Sequence, residues 1–509
     1  MRAFSKNYIF NAFFWSTSSK ILNAIFGFVS VPLLLGYFGK ANYGILSIAT
    51  ACNGCMHLMD LGVNTGAIKY FSQWAAEGKR DLIQRVSNTN TTFYLIIAAI
   101  NVLGLIFLAC FGEHFFSVTH NEFANLRSCF YILAIFSAVT WASSAYTQLL
   151  TAYKKIAFTM KVNCVTVLLR IILLIALFTI GMSLTEYFFF WTATLALGII
   201  PYIIKCKHDG LLDSLKPAVH WKDFALVFSF SLSIFALSSF QVLSDQSRAI
   251  ILSLFALNGA DAVAEYRIIA VFPQFIIVLC GALIPIFLPN ASEMLVKCRL
   301  EDVQFFVNKW TTRTTIFVCV LCFPFIIASN DILGAYVGSE YVHLSKWLQL
   351  WSFFLIIQMH CTPAYSFVLA KGKTRALVIA TAIATAVSIV INIFFCKSIP
   401  VGSAIIGQAV NTALLAGVNY TYIYKSYVNL KRLSLFKSFL FPMVLGAMAC
   451  IISYYIPLPN IELFNNARID LMLMFGLKAF LWFVMYAFLL LALRVIKMSE
   501  IKGMLDRRG

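Results

Sequence analysis

The sequence predicts an all-α polytopic membrane protein. About fourteen transmembrane helices are expected, arranged as two parallel-repeat six-helix lobes around a central polar cavity plus two C-terminal helices. Composition, the spacing of apolar segments and the placement of Lys and Arg carry this prediction. Of 509 residues, 61% are hydrophobic and 12% are charged, and the mean hydropathy is +0.85. A soluble globular chain carries about 25% charged residues, and no soluble interior of this size hides so much apolar surface. The net charge of +18 is therefore read against a bilayer, and nucleic acid is excluded as a partner.

A span needs about 20 mostly apolar residues. Segments near 8–35, 43–68, 91–112, 128–150, 162–181, 187–204, 224–247, 268–289, 314–334, 347–370, 376–395, 403–424, 439–457 and 469–493 meet that requirement. With the N-terminus in the cytoplasm, 29 of the 39 Lys and Arg residues fall in cytoplasmic loops and tails, 7 on the opposite side and 3 inside spans. Such alternation is the signature of the positive-inside rule, and it places both termini in the cytoplasm. The first segment contains Lys20 and is followed by no small-residue cleavage site, so it is expected to remain as a helix. The loops are short. The longest on the extracytoplasmic side is expected to be 248–267, too little for an extramembrane catalytic domain.

The expected division is a first lobe over 1–210, a second over 211–430, and additional helices with a cytoplasmic tail over 431–509. An internal echo supports two lobes of like orientation. Leu35-Gly36-Tyr37-Phe38-Gly39-Lys40-Ala41-Asn42-Tyr43-Gly44 follows the first span, and Leu257-Asn258-Gly259-Ala260-Asp261-Ala262-Val263-Ala264-Glu265-Tyr266 follows the seventh. Six spans separate them, an even number, which implies parallel repeats about an axis normal to the membrane. The 13 cysteines lie mostly in apolar segments. The C-x-x-C pairs Cys52/Cys55 and Cys319/Cys322 lack companion ligands, so they are read as buried thiols and no metal site is expected.

Several spans carry polar residues at helical spacing, which lipid-facing helices avoid. Ser16, Lys20, Asn23 and Gly27 share a face of the first span; Thr50, Asn53, His57, Asp60 and Asn64 share one of the second. Comparable stripes are Ser137, Thr140, Ser144, Gln148 and Thr151; Asn163, Thr166 and Arg170; Ser231, Ser238, Gln241, Asp245 and Arg248; and Thr381, Thr385, Ser388 and Asn392. One stripe alone reads as interhelical glue. Recurrence with ionisable members points to a water-filled cavity. Lys20 and Arg170 are the candidate anion-binding pair, since a guanidinium fork matches phosphate geometry; an Arg170–Asp60 pair is the competing reading. Asn53, His57 and Asp60 are candidates for lining the cavity or carrying a coupling proton. Asp245 and Arg248, three apart, are expected to pair as a gate or clip. His360 and Lys478 are read as structural.

The chain resembles the polysaccharide exporters of the multidrug/oligosaccharidyl-lipid/polysaccharide superfamily, and most closely the O-antigen flippases. The resemblance rests on Val31-Pro32 leading to the Gly39–Gly44 turn, and on Asp60-Leu61-Gly62-Val63 followed by Glu77-Gly78-Lys79-Arg80-Asp81. Asp245 through Tyr266, Leu283-Ile284-Pro285 and Lys371-Gly372-Lys373-Thr374-Arg375 also fit. It covers essentially the whole chain. It implies a non-enzymatic flippase of the bacterial inner membrane, moving an undecaprenyl-pyrophosphate-linked oligosaccharide repeat unit of the O-antigen kind. Lys20 and Arg170 would hold the head group, membrane lipids would surround the tail, and a polymerase and chain-length regulator would be partners. No cofactor is expected. No Walker motif is present, so a proton or sodium gradient would supply the energy. Two other readings stay open: an ion-coupled multidrug antiporter of the same superfamily, and an integral-membrane polysaccharide polymerase or ligase.

Overall fold

The structure, a computed structural model, describes residues 6–211, 216–281, 284–371, 375–458 and 466–495. These residues form twenty α-helices and no strand. In chain order they are α1 (Lys6–Phe38), α2 (Lys40–Met56), α3 (Val63–Ala76), α4 (Arg80–Phe111), α5 (His120–Ala152), α6 (Ile156–Ile180), α7 (Leu184–Leu197), α8 (Ile199–His208) and α9 (Trp221–Phe255). There follow α10 (Gly259–Gly281), α11 (Ile284–Lys297), α12 (Leu300–Ile327), α13 (Ser329–Tyr336), α14 (Ser345–Met359), α15 (Thr362–Ala370), α16 (Arg375–Phe395), α17 (Pro400–Val418), α18 (Tyr424–Val428), α19 (Arg432–Tyr455) and α20 (Ala467–Ala492). Leu283, the Gly372–Thr374 part of the basic motif and most of the C-terminal tail lie outside the described residues.

The chain is a multi-pass membrane protein. Among the described residues, eleven helical stretches are long and apolar enough to cross a bilayer, or twelve if Ser339–Met359 and Thr362–Ala370, bent by 42°, make one span. The expected fourteen are thus not all present as such stretches. The segment 43–68 is divided into α2, a 3-10 turn over His57–Asp60, and α3, so no single helix there is long enough. The segment 224–247 lies within the 35 residues of α9, whose side chains are described only in part. The expected loop 248–267 is also corrected. The helix α9 runs on to Phe255 and α10 begins at Gly259, leaving a turn of residues 256–258. That turn is pinned by Ser117, whose backbone N–H donates to the Ser253 carbonyl at 2.7 Å and whose carbonyl accepts from the Gly259 N–H at 2.7 Å.

Two compact units result: Met1–Arg267 with Ile393–Pro400, and Ile268–Asn392 with Val401–Gly509. The first unit runs past residue 210, because α9 packs on α2, α3 and α4. Its core gathers Phe71, Trp74, Tyr94, Trp141 and Phe224. Helix ends are specified locally: Thr119 and Glu122 form a reciprocal cap at the start of α5, and Ser183 and Glu186 do so at α7. The direction of packing agrees with alternating spans. Contacts Asn23–Asn163 and Tyr37–Met182 rise together along α1 and α6, so those helices are parallel. Asn101–Ser137 and Tyr94–Gln148 run oppositely, so α4 and α5 are antiparallel. In the second unit, Phe323 stacks on Trp482 with ring centroids 5.2 Å apart, and Lys478 Nζ meets Asp331 Oδ2 at 2.6 Å. Lys478 is thereby a structural ion-pair partner. All thirteen cysteines are free thiols.

Candidate functional site

The break between α2 and α3 is built by residues 57–62. Leu61 has φ +49° and Gly62 φ +72°, two successive left-handed residues that no α-helix accommodates. A Cβ on Gly62 would lie 2.6 Å from the Ser231 carbonyl oxygen of α9, and one on Gly66 would lie 2.0 Å from Ser231 Oγ. Glycine is required at both positions because the backbone of α3 is pressed onto α9. A discontinuous helix inside a membrane is tolerated where its backbone is buried in protein or lines a cavity.

Asp60 sits at the end of the 3-10 turn. Its Oδ2 accepts the Asn64 backbone N–H at 3.2 Å, and its Oδ1 accepts the Tyr94 hydroxyl of α4 at 2.6 Å. Tyr94 in turn accepts from Gln148 Nε2 of α5 at 2.6 Å, and Gln148 Oε1 accepts from Asn90 Nδ2 at 2.5 Å. Asn90, Gln148 and Tyr94 are buried, and Tyr94 stacks on Trp141 with centroids 5.9 Å apart. Every donor in this chain points toward Asp60, and chained hydrogen bonds polarise one another in the same sense. Gln148 belongs to a polar stripe visible in the sequence. Asn90 and Tyr94 escape that reading, although their spacing of four on one face of α4 is the signal that could have found them.

Arg170 lies over the Trp191 ring of α7 at 4.5 Å, with its Nε 3.4 Å from Thr194 Oγ1. It pairs with no carboxylate among the described residues, and the alternative Arg170–Asp60 pair is not formed. An aromatic face can hold a guanidinium in apolar surroundings while leaving its other N–H donors for a ligand. Lys20 is exposed on α1. Since Asn23 and Asn163 meet at 3.4 Å between parallel helices, Lys20 lies three residues before that level and Arg170 seven beyond it. At 1.5 Å rise per residue the two cations are about 15 Å apart along the helix axes. They occupy different depths and are not brought together in one cluster.

Asn53 is half-buried on α2, beside Gly54, whose Cβ would meet the Gln246 side chain of α9 at 2.8 Å. The His57 side chain lies outside the described residues, as do those of Ser238 and Gln241. Asp245 is exposed on α9, with Arg248 and Arg267 as charged neighbours. Arg248 is buried and donates from Nη2 to Ser244 Oγ at 2.9 Å. The two echoed segments touch each other. Lys40 Nζ lies 2.7 Å from Glu265 Oε1 and 3.7 Å from Asp261 Oδ2, and a Cβ on Gly44 would overlap the Ala260 carbonyl at 1.9 Å.

A family model described as polysaccharide biosynthesis protein matches residues 9–290, more than half the chain and all of the broken helix, its hydrogen-bond chain and both cations. The chain belongs to that family. No curated protein matches the sequence. Among solved structures, the chain is similar to the lipid II flippase MurJ in an inward closed conformation, with TM-score 0.68 and 15% identity, over 96% of this chain and 99% of that one. It is also similar to an inward-facing multidrug resistance MATE family transporter of the MOP superfamily, with TM-score 0.63 and 13% identity over 81% and 94%. A third is the MATE multidrug transporter DinF-BH, with TM-score 0.61 and 14% identity over 84% and 97%. At these identities the likeness establishes a fold, that of the MurJ and MATE transporters, shared by this family member.

Proposed function

We propose that this protein is a flippase that carries an undecaprenyl-pyrophosphate-linked oligosaccharide repeat unit, of the O-antigen kind, from the cytoplasmic to the periplasmic face of a bacterial inner membrane. It acts by alternating access and without catalysing a covalent step. The lobes, expected over residues 1–210 and 211–430 with helices beyond 431 added, rock about a polar cavity while the lipid tail stays in the bilayer. Termini are cytoplasmic, as the Lys and Arg asymmetry favours. The observation that carries the reading is the pair of intramembrane cations, Lys20 and Arg170, that have no carboxylate partner among the described residues, in a member of the polysaccharide biosynthesis family. Arg170 on its Trp191 platform suits a diphosphate, and Lys20 at a second depth suits the same charge as it moves. Asp60, with Asn53 and His57 on its stripe, is the coupling candidate for a proton or sodium gradient. Asp245 and Arg248 close the outer end. A polymerase and chain-length regulator would receive the product.

An ion-coupled drug antiporter is the second reading, favoured by the MATE-like fold and by a carboxylate at the helix break. Cationic drugs call for a pathway rich in unpaired carboxylates, whereas along the polar stripes here Lys and Arg (Lys20, Arg170, Arg248) at least match the carboxylates Asp60 and Asp245. The experiment is a deletion strain. Loss of surface polysaccharide with lipid-linked single units accumulating on the cytoplasmic face is the expected result. Exported but unpolymerised units would indicate a polymerase, and normal polysaccharide would favour the antiporter.

A further inference from the structure

Where α19 begins and α20 stops, the second unit carries a groove of about 680 Å³. Thr312 of α12 and Ser438 of α19 form its polar wall, Lys437 and Arg494 stand at its rim, and Phe441 and Val444 continue it inward. One face of α19 thus changes from hydroxyl and ammonium to exposed hydrocarbon within about two turns. This is the polarity profile of a lipid standing upright at the edge of a bilayer. The end concerned is the one that the Lys and Arg distribution assigns to the cytoplasm.

Lys437 and Arg494 are exposed, and neither pairs with a carboxylate among the described residues. Arg494 has φ +54°. Its N–H bonds the Leu491 carbonyl at 3.1 Å while the Val495 N–H bonds the Leu490 carbonyl at 2.9 Å, a helix stop that glycine fills most easily. An arginine there gives up backbone comfort, and what it adds is its side chain. The hydroxyls are equally informative. Ser438 Oγ donates to the Ser434 carbonyl at 3.0 Å, and Thr312 Oγ1 donates to the Asn308 and Ser438 carbonyls at 3.1 Å each. Both hydroxyl protons are committed, so Ser438 and Thr312 offer lone pairs only. The third lining hydroxyl, Ser434 Oγ, accepts from Asn308 Nδ2 at 2.8 Å and keeps its proton for a ligand, so a ligand for this groove is negatively charged, combines acceptor oxygens with O–H donors and ends in hydrocarbon. Ammonium headgroups bring donors but carry positive charge toward Lys437 and Arg494.

We infer that the groove binds an anionic glycerophospholipid with a hydroxylated headgroup, of the phosphatidylglycerol class, as a resident lipid separate from any cargo. The inference does not depend on the flippase reading. Full-length protein is placed in nanodiscs of phosphatidylcholine and phosphatidylglycerol in equal amounts, then extracted, and the retained lipids are counted by native mass spectrometry. Phosphatidylglycerol is expected to be enriched, and the Lys437→Gln/Arg494→Gln pair to lower that enrichment about tenfold. Arg494→Gly, which suits the backbone, should lose enrichment with Tm unchanged or raised, and Arg494→Lys should keep it. Unchanged enrichment in the Gln pair, or retention in Arg494→Gly, overturns the proposal. Displacement by inorganic phosphate would make the groove a free-phosphate site, and displacement by a polyprenyl diphosphate would make it part of the cargo path. Either result overturns it as well.

Discussion

Asp60 collects the Tyr94 hydroxyl on one oxygen and the Asn64 N–H on the other, so both of its carboxyl oxygens act as acceptors at the helix break. If Asp60 carries the coupling ion, Asp60→Asn flattens the dependence of transport on proton motive force. Unchanged dependence in everted vesicles would leave Asp60 as the cap of α3 and nothing more. Tyr94→Phe removes one donor and leaves the Gln148 amide without its acceptor, a loss of about 1–3 kcal/mol for a buried group; thermal unfolding in detergent measures it. The two cations make a separate prediction. Lys20→Ala and Arg170→Ala should each reduce export while the protein inserts normally, and Trp191→Leu should imitate Arg170→Ala because it removes the ring beneath the guanidinium. Full export by the double alanine variant would remove the anion-site argument.

Among the elements, the broken second span decides most. The left-handed φ of Gly62 makes alanine there cost about 1–2 kcal/mol before any clash, and the 2.6 Å approach to Ser231 adds displacement of α9. Gly62→Ala should therefore reduce export through α3 and α9 rather than through lost charge, and crosslinking between α3 and α9 would report the shift. Gly44→Ala should act likewise through Ala260. The sequence carried the motif Asp60-Leu61-Gly62-Val63 in plain view, yet not the break itself. The segment 43–68 stays apolar throughout, and hydropathy does not register two left-handed residues. The echo of residues 35–44 and 257–266 was legible as a repeat. That its copies are bonded to each other through Lys40 and Glu265 depends on where α2 lies beside α10, which no spacing along the chain conveys.

For the molecule as a whole, composition alone was enough for a helical membrane protein, and charge alternation agrees with the parallel run of α1 and α6. Among the described residues, eleven or twelve of the fourteen expected spans stand as continuous apolar helices, and over 43–68 a window of apolar residues cannot distinguish a helix from two helices joined by a turn. Lys20 and Arg170 were legible as candidates. Their separation by depth was not, since it follows from the Asn23–Asn163 register. Topology can be tested with two native thiols. Cys110 and Cys298 are both exposed, at ends expected outside and inside respectively. In a chain retaining only these cysteines, an impermeant maleimide should label Cys110 in intact cells and reach Cys298 only after lysis; labelling of Cys298 from outside would invert the assigned orientation.

The chain from Asn90 to Asp60 also behaves as a wire with a sign. With Asp60 ionised, each link must donate forward, and Asn90 Oδ1 at the far end is left buried without a partner among the described residues. A proton loaded on Asp60 Oδ1 makes that oxygen the donor to Tyr94, which then turns its hydroxyl to Gln148, and both amides rotate by half a turn to follow. Asn90 would then present its NH₂ where its oxygen now lies. An event at the broken helix is in this way written as the orientation of an amide three residues removed along the network, inside the packed interface of α4 and α5. The vibrational frequencies of labelled Tyr94 and Asn90 would read that sign directly.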